Sequence, residues 1–393
     1  MFNKRVFLDY ASTTPVDKKV FKKMKKFFSS SFANAQSIHK EGVLNKKYLN
    51  EARSGVARLI QVREGEIVFT GGGTESINLA IIGLAKKVLK EFKEKDITEK
   101  PHIITTNIEH VAVLESCKSL EDQFDITYLK VGDDGIINSS HVEKELRSTT
   151  ILVSVMLANN EIGTIFPIRD ISRVLHKYKK ENGVEKNSYP LLHSDASQAP
   201  NYLDINLNRL GVDMMSLDGS KIYGPKGSGV LVKKSYVEIE SISFGGSQEF
   251  GLRAGTENLA MLYGFYLSLK KTLEIKYEEC ERLSKLQKYF FSELKEKIPG
   301  IKINGSLEKR LPNNVNICIS GINAEFTVIK LDQLGISCSS MTACRNMTEV
   351  SGSYVVDSLG ENCGESSLRF TMGRGTKKGH IDKVVRALSK SIK

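Results

Sequence analysis

The sequence predicts an α/β fold in which a mostly parallel sheet carries helices on both faces. Short apolar, β-rich runs alternate with amphipathic segments between residues 66 and 232, as in strand–helix–strand units. The runs at His102–Thr106 and Ile151–Leu157 lack a clean period of two, which is typical of parallel strands buried on both faces. After about residue 257 the pattern changes to long helices and few strands, which indicates a second, smaller α+β unit.

The individual elements follow in order along the chain. The predicted strands of the first part are Glu66–Thr70, His102–Thr106, Asp125–Val131, Ile151–Leu157, Pro190–Asp195, Asp213–Leu217 and Gly229–Val232. The predicted helices between them are Thr74–Lys93, His110–Gln123 and Ile168–Glu181. The second part contains two long helices or one bent helix (Glu257–Lys297), then strand Asn314–Ser320, helix Ala324–Leu334, strand Ser367–Met372 and helix Lys378–Ser391. We therefore predict an N-terminal segment (1–16) that packs on the small domain, a large domain (17–256) and a small domain (257–393).

The composition indicates a globular protein with a large core. Of the 393 residues, 40% are hydrophobic and 26% charged, which excludes a disordered chain. Six cysteines are too few for a disulfide scaffold. The sequence shows no secretory signal and no run of about 18 apolar residues, so we predict a cytoplasmic protein with reduced cysteines and no membrane contact.

The formal net charge is +11, from 57 basic and 46 acidic residues. The lysines are spread along the chain, as at residues 18–26 and 86–100, and do not form one patch. Direct nucleic-acid binding is therefore not the expected main function, and an anionic ligand or partner fits the charge better.

Residues 70–76 (TGGGTES) join a predicted strand to a predicted helix. Glycines let backbone N–H groups approach a ligand closely, and the start of a helix favours an anion. Gly73 and Thr74 therefore predict a phosphate cup, although no lysine follows as in a Walker A loop. An ordinary capped helix start, with Glu75 in its first turn, fits the same residues equally well.

An acidic residue and a lysine follow two other predicted strands. Asp195 ends the strand at 190–195, and Lys221 lies on a glycine-rich turn after the strand at 213–217. Each alone fits a turn or surface residue. Together with a phosphate cup they suit pyridoxal 5'-phosphate, because a lysine forms a Schiff base with its aldehyde and a carboxylate keeps its ring nitrogen protonated.

Three further positions allow a structural or a functional interpretation. Asn160, in the segment Asn159–Gly163 after a strand, can bond a ring substituent or close a turn. His110 can stack on a flat cofactor and move protons, but taken alone it fits a helix cap better. Arg369 lies between apolar residues of a late strand, where it is an edge charge or a fork for a carboxylate.

Cys344 lies within residues 337–364, which are rich in Ser, Gly, Thr and Asn and predict a long loop. A cysteine on such a loop is expected to be exposed, and Arg345 beside it favours the thiolate. The spacing of the cysteines does not predict a metal site. Cys363 fits either setting, and three cysteines in apolar patterns are assigned to the core: Cys117, Cys280 and Cys318.

Together these residues resemble the pyridoxal-phosphate-dependent cysteine desulfurases of the NifS/IscS type. The resemblance covers nearly the whole chain, from residues 7–15 (FLDYASTTP) to 369–374 (RFTMGR). Other matching motifs lie at 159–163, 193–198, 221–227, 253–256 and 339–344. The resemblance implies the class V aminotransferase fold (a PLP-dependent transferase fold of the aspartate aminotransferase type), a homodimer, and L-cysteine as the substrate.

The resemblance also implies which residues hold the cofactor ring. Lys221 would bind the cofactor covalently and act as the base at the substrate Cα. Asp195 would pair with the pyridinium, and His110 would stack on the ring and assist proton transfer. The ring oxygen would be bound by Gln198 and Asn160.

The remaining implied roles concern the phosphate and the substrate. The phosphate would be bound by Gly73, Thr74 and, from the second subunit, Thr256. Cys344 would accept the sulfur as a persulfide. The substrate carboxylate would be held by Asn34 and Arg369.

Three positions depart from the family pattern. Asp218 and Ser220 replace a serine and a histidine that contact the phosphate in the family. We therefore expect Asp218 to turn away from the phosphate or to be hydrogen-bonded itself, and Ser220 to substitute as a phosphate donor. Met341 replaces a glycine, which is expected to stiffen the loop that carries Cys344.

We therefore predict a cysteine desulfurase that forms L-alanine and passes sulfur through Cys344 to an acceptor protein, in iron–sulfur cluster assembly, tRNA thiolation or another sulfur modification. No metal is implied. A selenocysteine lyase or another class V aminotransferase is the alternative enzyme, although a transaminase needs no thiol. A basic nucleic-acid-binding or regulatory protein with a decayed site is the non-enzymatic alternative. The joint presence of Lys221, Asp195, His110 and Cys344 argues against it.

Overall fold

The computed structural model describes residues 5–340, 352–360 and 363–392, and it confirms the predicted α/β architecture. Within these residues the strands are β1 (Val6–Phe7), β2 (Ile67–Thr70), β3 (His102–Thr106), β4 (Asp125–Leu129), β5 (Thr150–Ser154), β6 (Leu191–Asp195), β7 (Met214–Asp218), β8 (Gly229–Lys233), β9 (Lys302–Ile303), β10 (Asn314–Cys318), β11 (Ile336–Ser337) and β12 (Ser367–Thr371). The helices are α1 (Lys18–Met24), α2 (Lys40–Ile60), α3 (Gly73–Glu94), α4 (Val111–Lys118), α5 (Ser139–Glu145), α6 (Ile168–Glu181), α7 (Leu207–Leu210), α8 (Leu259–Lys297), α9 (Ala324–Gln333), α10 (Tyr354–Asp357) and α11 (Lys378–Ser391). Short 3-10 helices lie at Lys25–Phe28, Glu64–Glu66, Gly219–Lys221, Glu249–Gly251 and Gly364–Ser366.

The central sheet has the strand order β2-β8-β7-β6-β5-β3-β4. Strands β7, β6, β5, β3 and β4 run parallel, and β8 is antiparallel to both β7 and β2. Because β2 therefore runs parallel to β7, the carboxyl ends of β2, β6 and β7 lie at one edge of the sheet. This edge is where α/β proteins bind ligands. Every residue of β3 and β5 is buried, as their sequence pattern predicts.

Helices cover both faces of the sheet. On one face, Leu84 of α3 is buried together with Met214 of β7. On the other face, Val56 of α2 and Phe265 of α8 are buried together with Val230 of β8. Each face therefore excludes water from the strands, which explains their continuous apolar runs.

Helix α2 was not predicted from the sequence. Its buried residues recur at helical spacing, as Leu49, Ala52, Val56 and Ile60. The other positions are mostly charged or polar, so the apolar stripe is narrow and gives a weak periodic signal.

Helix α8 is one continuous helix of 39 residues, which resolves the prediction of two helices or one bent helix. Its first part carries Phe265 into the core of the central sheet. Its second part carries Phe290 into a separate core that also contains Phe370 of β12. Because one helix belongs to both cores, the division of the chain at residue 257 stays a prediction.

The second core lies beneath a three-stranded antiparallel sheet with the order β12-β10-β9. The N-terminal segment contacts this part of the molecule. Strand β1 pairs in parallel with β11, and Leu8 is fully buried in the second core. Asp9 then pairs with Thr371 at the end of β12, so the segment runs from the small sheet toward the central sheet.

The cysteines differ from the predictions at two points. Cys318 and Cys363 are joined by a disulfide, whereas all cysteines were expected to be reduced. The reason is that the end of β10 and the turn before β12 bring their Cα atoms to 6.3 Å, within bonding range. Cys280 is half-buried, not a core residue, whereas Cys117 is buried as predicted.

None of the helices in the described ranges is both long and apolar enough to cross a bilayer.

Candidate active site

A cavity opens at the carboxyl edge of the central sheet, next to the start of α3. Most of the predicted site residues line it: Gly73, Thr74, His110, Asn160, Asp195, Gln198, Lys221 and Arg369. The other lining residues are Ala11, Ser12, Ile77, Met156, Ala158, Ser197 and Asp218. Parallel strand ends therefore bring residues that are distant in sequence to one site.

Lys221 ends the 3-10 turn that follows β7. Its Nζ donates a hydrogen bond to the backbone oxygen of Ser12 at 2.5 Å. The N-terminal segment is fixed over this turn by Thr14, whose N–H and Oγ1 both donate to the oxygen of Ser220, at 2.8 and 2.7 Å. The amine is thereby held at the cavity wall on a short, restrained turn.

Asp195 is the last residue of β6, and only 8% of its surface is exposed. Its Oδ1 accepts hydrogen bonds from the N–H and the Oγ of Ser197, at 2.9 and 2.6 Å. These bonds fix the carboxylate beside the cavity. A carboxylate in such a poorly hydrated place favours a protonated nitrogen opposite it.

His110 both caps α4 and lines the cavity, so its two interpretations are compatible. Its Nδ1 accepts a hydrogen bond from the N–H of Ala112 at 3.1 Å. A neutral ring that accepts at Nδ1 carries its proton on Nε2. The helix cap therefore sets the tautomer of the imidazole that faces the cavity.

Glu109, which directly precedes His110, is fully buried and was not singled out from the sequence. Its Oε1 accepts from the N–H of Met156 at 2.9 Å and from Oγ1 of Thr106 at 3.0 Å. Burial raises the pKa of Glu109 to about 8, with a further increase from the charge of Asp195, while the Met156 N–H acts in the opposite direction. Glu109 is therefore largely a neutral acid at neutral pH.

Arg369 reaches the cavity from β12 and is 3% exposed, so it is not a solvated edge charge. Its guanidinium donates to the oxygen of Asn160 at 3.0 Å, to Oδ1 of Asp9 at 2.9 Å and to Oγ of Ser12 at 2.8 Å. Among the residues that the structure describes, its Nε is buried without a hydrogen-bond partner. Arg369 is thus a cation held in one position at the cavity wall.

Two amide side chains complete this wall. Gln198 donates from Nε2 to the backbone oxygen of Ala11 at 2.9 Å, and so ties the N-terminal segment to the strand end. Asn160 lines the cavity and is fixed through its backbone oxygen by Arg369. Their predicted contact with a ring oxygen stays a prediction.

Asp218 corrects one expectation. The carboxylate does not turn away from the cup, because it lines the cavity and its Oδ2 accepts the N–H of Gly73 at 3.0 Å. It is hydrogen-bonded, as the second half of that expectation stated. Thr70 at the end of β2 and Asp218 at the end of β7 both lie opposite Gly229, which places the cup directly beside Asp218. A Cβ on Gly229 would lie 2.5 Å from the backbone of Gly72, so this close approach requires glycine.

Three predicted residues do not line the cavity. Asn34 and Thr256 are exposed and lie elsewhere on the surface of the chain. Ser220 is half-buried and donates its hydroxyl to Asp218 at 2.6 Å, so that hydroxyl is already committed. Cys344 and Met341 lie outside the described residues.

The sequence also contained an unused signal. Asp195-Ala196-Ser197 and Asp218-Gly219-Ser220 have the same Asp-x-Ser pattern, which is typical of a turn in which the carboxylate accepts bonds from the serine. The pattern predicts the fixed orientation of both carboxylates. Ser12 and Asp9, which also contact site residues, had no comparable signal.

The cavity matches the chemical requirements of pyridoxal 5'-phosphate at its ring end. It presents the restrained amine of Lys221, the carboxylate of Asp195 for the ring nitrogen, and the imidazole of His110. It also presents the N-terminus of α3 for the phosphate, although Asp218 already accepts one N–H of that helix end. Fold and site together define an enzyme that uses pyridoxal 5'-phosphate.

Comparison with known proteins agrees with this class. The aminotransferase class-V family model matches residues 6–384. A cysteine desulfurase IscS of Dictyoglomus turgidum is 38% identical over 392 residues, covering 99% of this chain and 95% of that protein. A solved NifS-like protein superimposes with a TM-score of 0.88 at 31% identity, covering 99% of both chains. A structure of SspA in complex with cysteine gives a TM-score of 0.78 at 32% identity and covers 93% of this chain and 98% of that one.

The chain therefore belongs to the cysteine desulfurases of the class V aminotransferase family, whose members depend on pyridoxal 5'-phosphate.

Proposed function

We propose that this protein converts L-cysteine into L-alanine and that the thiol of Cys344 becomes a persulfide. In the balanced reaction, the substrate loses its sulfur atom, the carbon–sulfur bond is replaced by a carbon–hydrogen bond, and Cys344–SH becomes Cys344–S–SH. The observation that carries the proposal is that Lys221, Asp195 and Arg369 line one cavity.

The cofactor supplies an electron sink for the carbanion at the substrate Cα. Lys221, which is held on the turn after β7, is placed to bond the cofactor and then to move the Cα proton through its Nζ. Asp195 would keep a proton on the ring nitrogen, because its two bonds from Ser197 hold the carboxylate in one orientation. His110 lines the same cavity, with its proton on Nε2 because Nδ1 accepts the N–H of Ala112.

Arg369 is the group that orients the substrate. Its guanidinium lines the cavity and is held by hydrogen bonds to Asn160, Asp9 and Ser12. An α-carboxylate in the cavity would pair with this positioned cation. We assign carboxylate binding to Arg369 on this ground.

We further propose a cytoplasmic homodimer. The exposed segments that carry Asn34 and Thr256 lie side by side, because Gln36 donates to Glu257 across them at 2.5 Å. Ile38 on the first segment is 97% exposed. An exposed apolar residue beside two predicted site residues fits a subunit interface that completes the neighbouring site.

Sulfur carried by Cys344 is proposed to pass to an acceptor protein, for iron–sulfur cluster assembly, tRNA thiolation or another sulfur modification. The acceptor must present a nucleophilic thiol or an equivalent group that attacks the outer sulfur of the persulfide.

The decisive experiment measures alanine and sulfide released from L-cysteine by the cofactor-loaded protein with a thiol reductant. Equal release of both, together with a persulfide on Cys344 by mass spectrometry, is the expected result. Cys344→Ala should lose the persulfide, whereas Cys280→Ala, a matched substitution away from the cavity, should keep it. A protein that binds the cofactor but gives neither product would overturn the proposal.

A further inference from the structure

The start of α3 already holds an anion that belongs to the protein. Oδ2 of Asp218 accepts the N–H of Gly73 at 3.0 Å, and Oδ1 accepts the N–H and Oγ of Ser220 at 2.7 and 2.6 Å. The carboxylate therefore lies at the positive end of a 22-residue helix. It also lines the same cavity as Lys221.

The glycine at this position permits the contact. A Cβ built on Gly73 would lie 3.2 Å from Oδ2 of Asp218, closer than a side chain normally approaches. The carboxylate is thus packed against the backbone of the cup. Three donors, two of them backbone N–H groups, hold it there, and turning it away would break all three bonds.

A phosphate monoester carries a charge of about −1.5 to −2 at pH 7, with a second pKa near 6. A dianion beside an ionised Asp218 would be repelled in a partly dehydrated cavity. A monoanion would instead donate its remaining proton to the carboxylate, in a strong charge-assisted hydrogen bond. With a monoanion, Oδ1 of Asp218 keeps its two hydrogen bonds from Ser220, and Oδ2 accepts the proton of the phosphate.

Other charged groups around Asp218 do not remove this conflict. Within the described residues, the cavity also holds Lys221, His110, Arg369 and Asp195. Of these, Lys221 donates a hydrogen bond to Ser12. Arg369 forms an ion pair with Asp9. Behind the loop, Glu75 accepts the N–H of Gly71 at 2.7 Å and pairs with Arg253 at 3.0 Å.

We propose that the cofactor phosphate binds to this protein together with one proton, shared between a phosphate oxygen and the carboxylate of Asp218. The inference rests on the proposed function, since it places the phosphate of pyridoxal phosphate at the start of α3. Above pH 6 the proton comes from solvent: carboxylate, phosphate dianion and one proton form a hydrogen-bonded pair with a total charge of −2. Cofactor affinity is therefore linked to pH through Asp218.

The test uses pyridoxamine 5'-phosphate and apoprotein, because this amine analogue forms no bond to Lys221. Calorimetry in two buffers of different ionisation enthalpy counts the protons taken up on binding. At pH 8 the wild type should take up about one proton more than Asp218→Asn, a neutral variant of the same shape. The ratio of the wild-type Kd to the Asp218→Asn Kd should rise about tenfold per pH unit above pH 6, or about 100-fold between pH 6.5 and 8.5.

Taking the ratio cancels the titrations of all groups that both proteins share. Glu75→Gln is the matched control, because it neutralises a carboxylate at the same helix end that does not line the cavity. Its Kd ratio to wild type should be independent of pH. The 31P NMR shift of the bound ligand is a second measurement, and it should stay that of a monoanion at pH 8 in the wild type and become that of a dianion in Asp218→Asn.

Equal proton uptake by wild type and Asp218→Asn, with a Kd ratio that is flat in pH, would overturn the inference and leave the proposed function intact. Failure of folded wild type and folded Asp218→Asn alike to bind pyridoxamine 5'-phosphate would overturn both, because the cofactor assignment itself would be wrong.

Discussion

Asp195 and Asp218 end neighbouring parallel strands with the same local structure, line one cavity, and are assigned different roles in it. In each, Oδ1 accepts the N–H and the hydroxyl of the serine two residues later. Asp195 and Lys221 line the same cavity, and we assign Asp195 to the ring end, whereas Asp218 reaches the N–H of Gly73 at the start of α3. One turn motif therefore provides two anions, and the function of each is set by the element that lies across from it.

The largest expected difference between them is in the reaction rate. Asp195→Asn removes the charge opposite the ring nitrogen, so kcat/KM for alanine formation should fall about 10²- to 10³-fold, the scale of one electrostatic stabiliser. Asp218→Asn at saturating cofactor should lose much less, because its carboxylate faces the phosphate and not the reacting atoms. Steady-state assays of both variants check this, and a larger loss in Asp218→Asn would show that the assigned ends of the cavity are wrong.

A second difference between the two ends is that a buried acid, Glu109, lies near Asp195. Burial raises the pKa of Glu109 to about 8, above its usual value of 4.5. Between these values the folded state binds more protons than the unfolded state, so the free energy of unfolding decreases as pH rises, by about 1.4 kcal/mol per unit. Above about pH 8 the decrease stops.

Glu109→Gln, which resembles the protonated acid, should remove this slope. From pH 5 to pH 7.5 the wild type should lose about 3 kcal/mol of stability relative to the variant, measured by denaturant unfolding of the apoprotein. Parallel stability profiles would show that Glu109 is ionised in the folded protein.

Those features that depend on local sequence pattern, the strands and the site residues at their ends, could be predicted from the sequence. Continuous apolar runs gave the strands β3 and β5, and the polar residues that follow strands gave Asp195 and Lys221 as site residues. The parallel arrangement then places those ends together, so the site follows from the topology. Most boundaries differed by one to three residues, as in β6, which begins at Leu191 and not at Pro190, but α4 ends at Lys118, five residues before the predicted Gln123.

The direction of the Asp218 side chain could not be predicted in the same way. Its partner Gly73 lies 145 residues earlier, and the contact depends on the antiparallel strand β8, whose Gly229 lies between them. Charge alone predicted that a carboxylate would avoid a phosphate cup. In the folded chain the N-terminus of α3 attracts that same charge, and this attraction arises only after the strands have paired.

Asn34 and Thr256 illustrate a different limit. Within the described residues neither lines the cavity; Thr256 was predicted to act from a second subunit, and the proposed dimer would extend this to Asn34. Ile38→Asp should therefore convert a dimer into monomers and lower cofactor affinity, as followed by sedimentation and cofactor titration. Leu334→Asp, a matched substitution on an exposed apolar residue after α9, should change neither, and a monomeric wild type would contradict the proposal.

The smallest expected difference comes from the two serines. Ser197 is 9% exposed and donates to Asp195, so Ser197→Ala leaves a buried carboxylate short of one bond and should cost about 2 kcal/mol of unfolding free energy. Ser220 is half-buried, and water can replace its hydroxyl beside Asp218, so Ser220→Ala should cost about 1 kcal/mol or less. Denaturant unfolding of both apoproteins measures the two values. Equal costs would mean that the two carboxylates are equally hydrated. Poor hydration of Asp195 would then no longer explain why it should stabilise a protonated ring nitrogen.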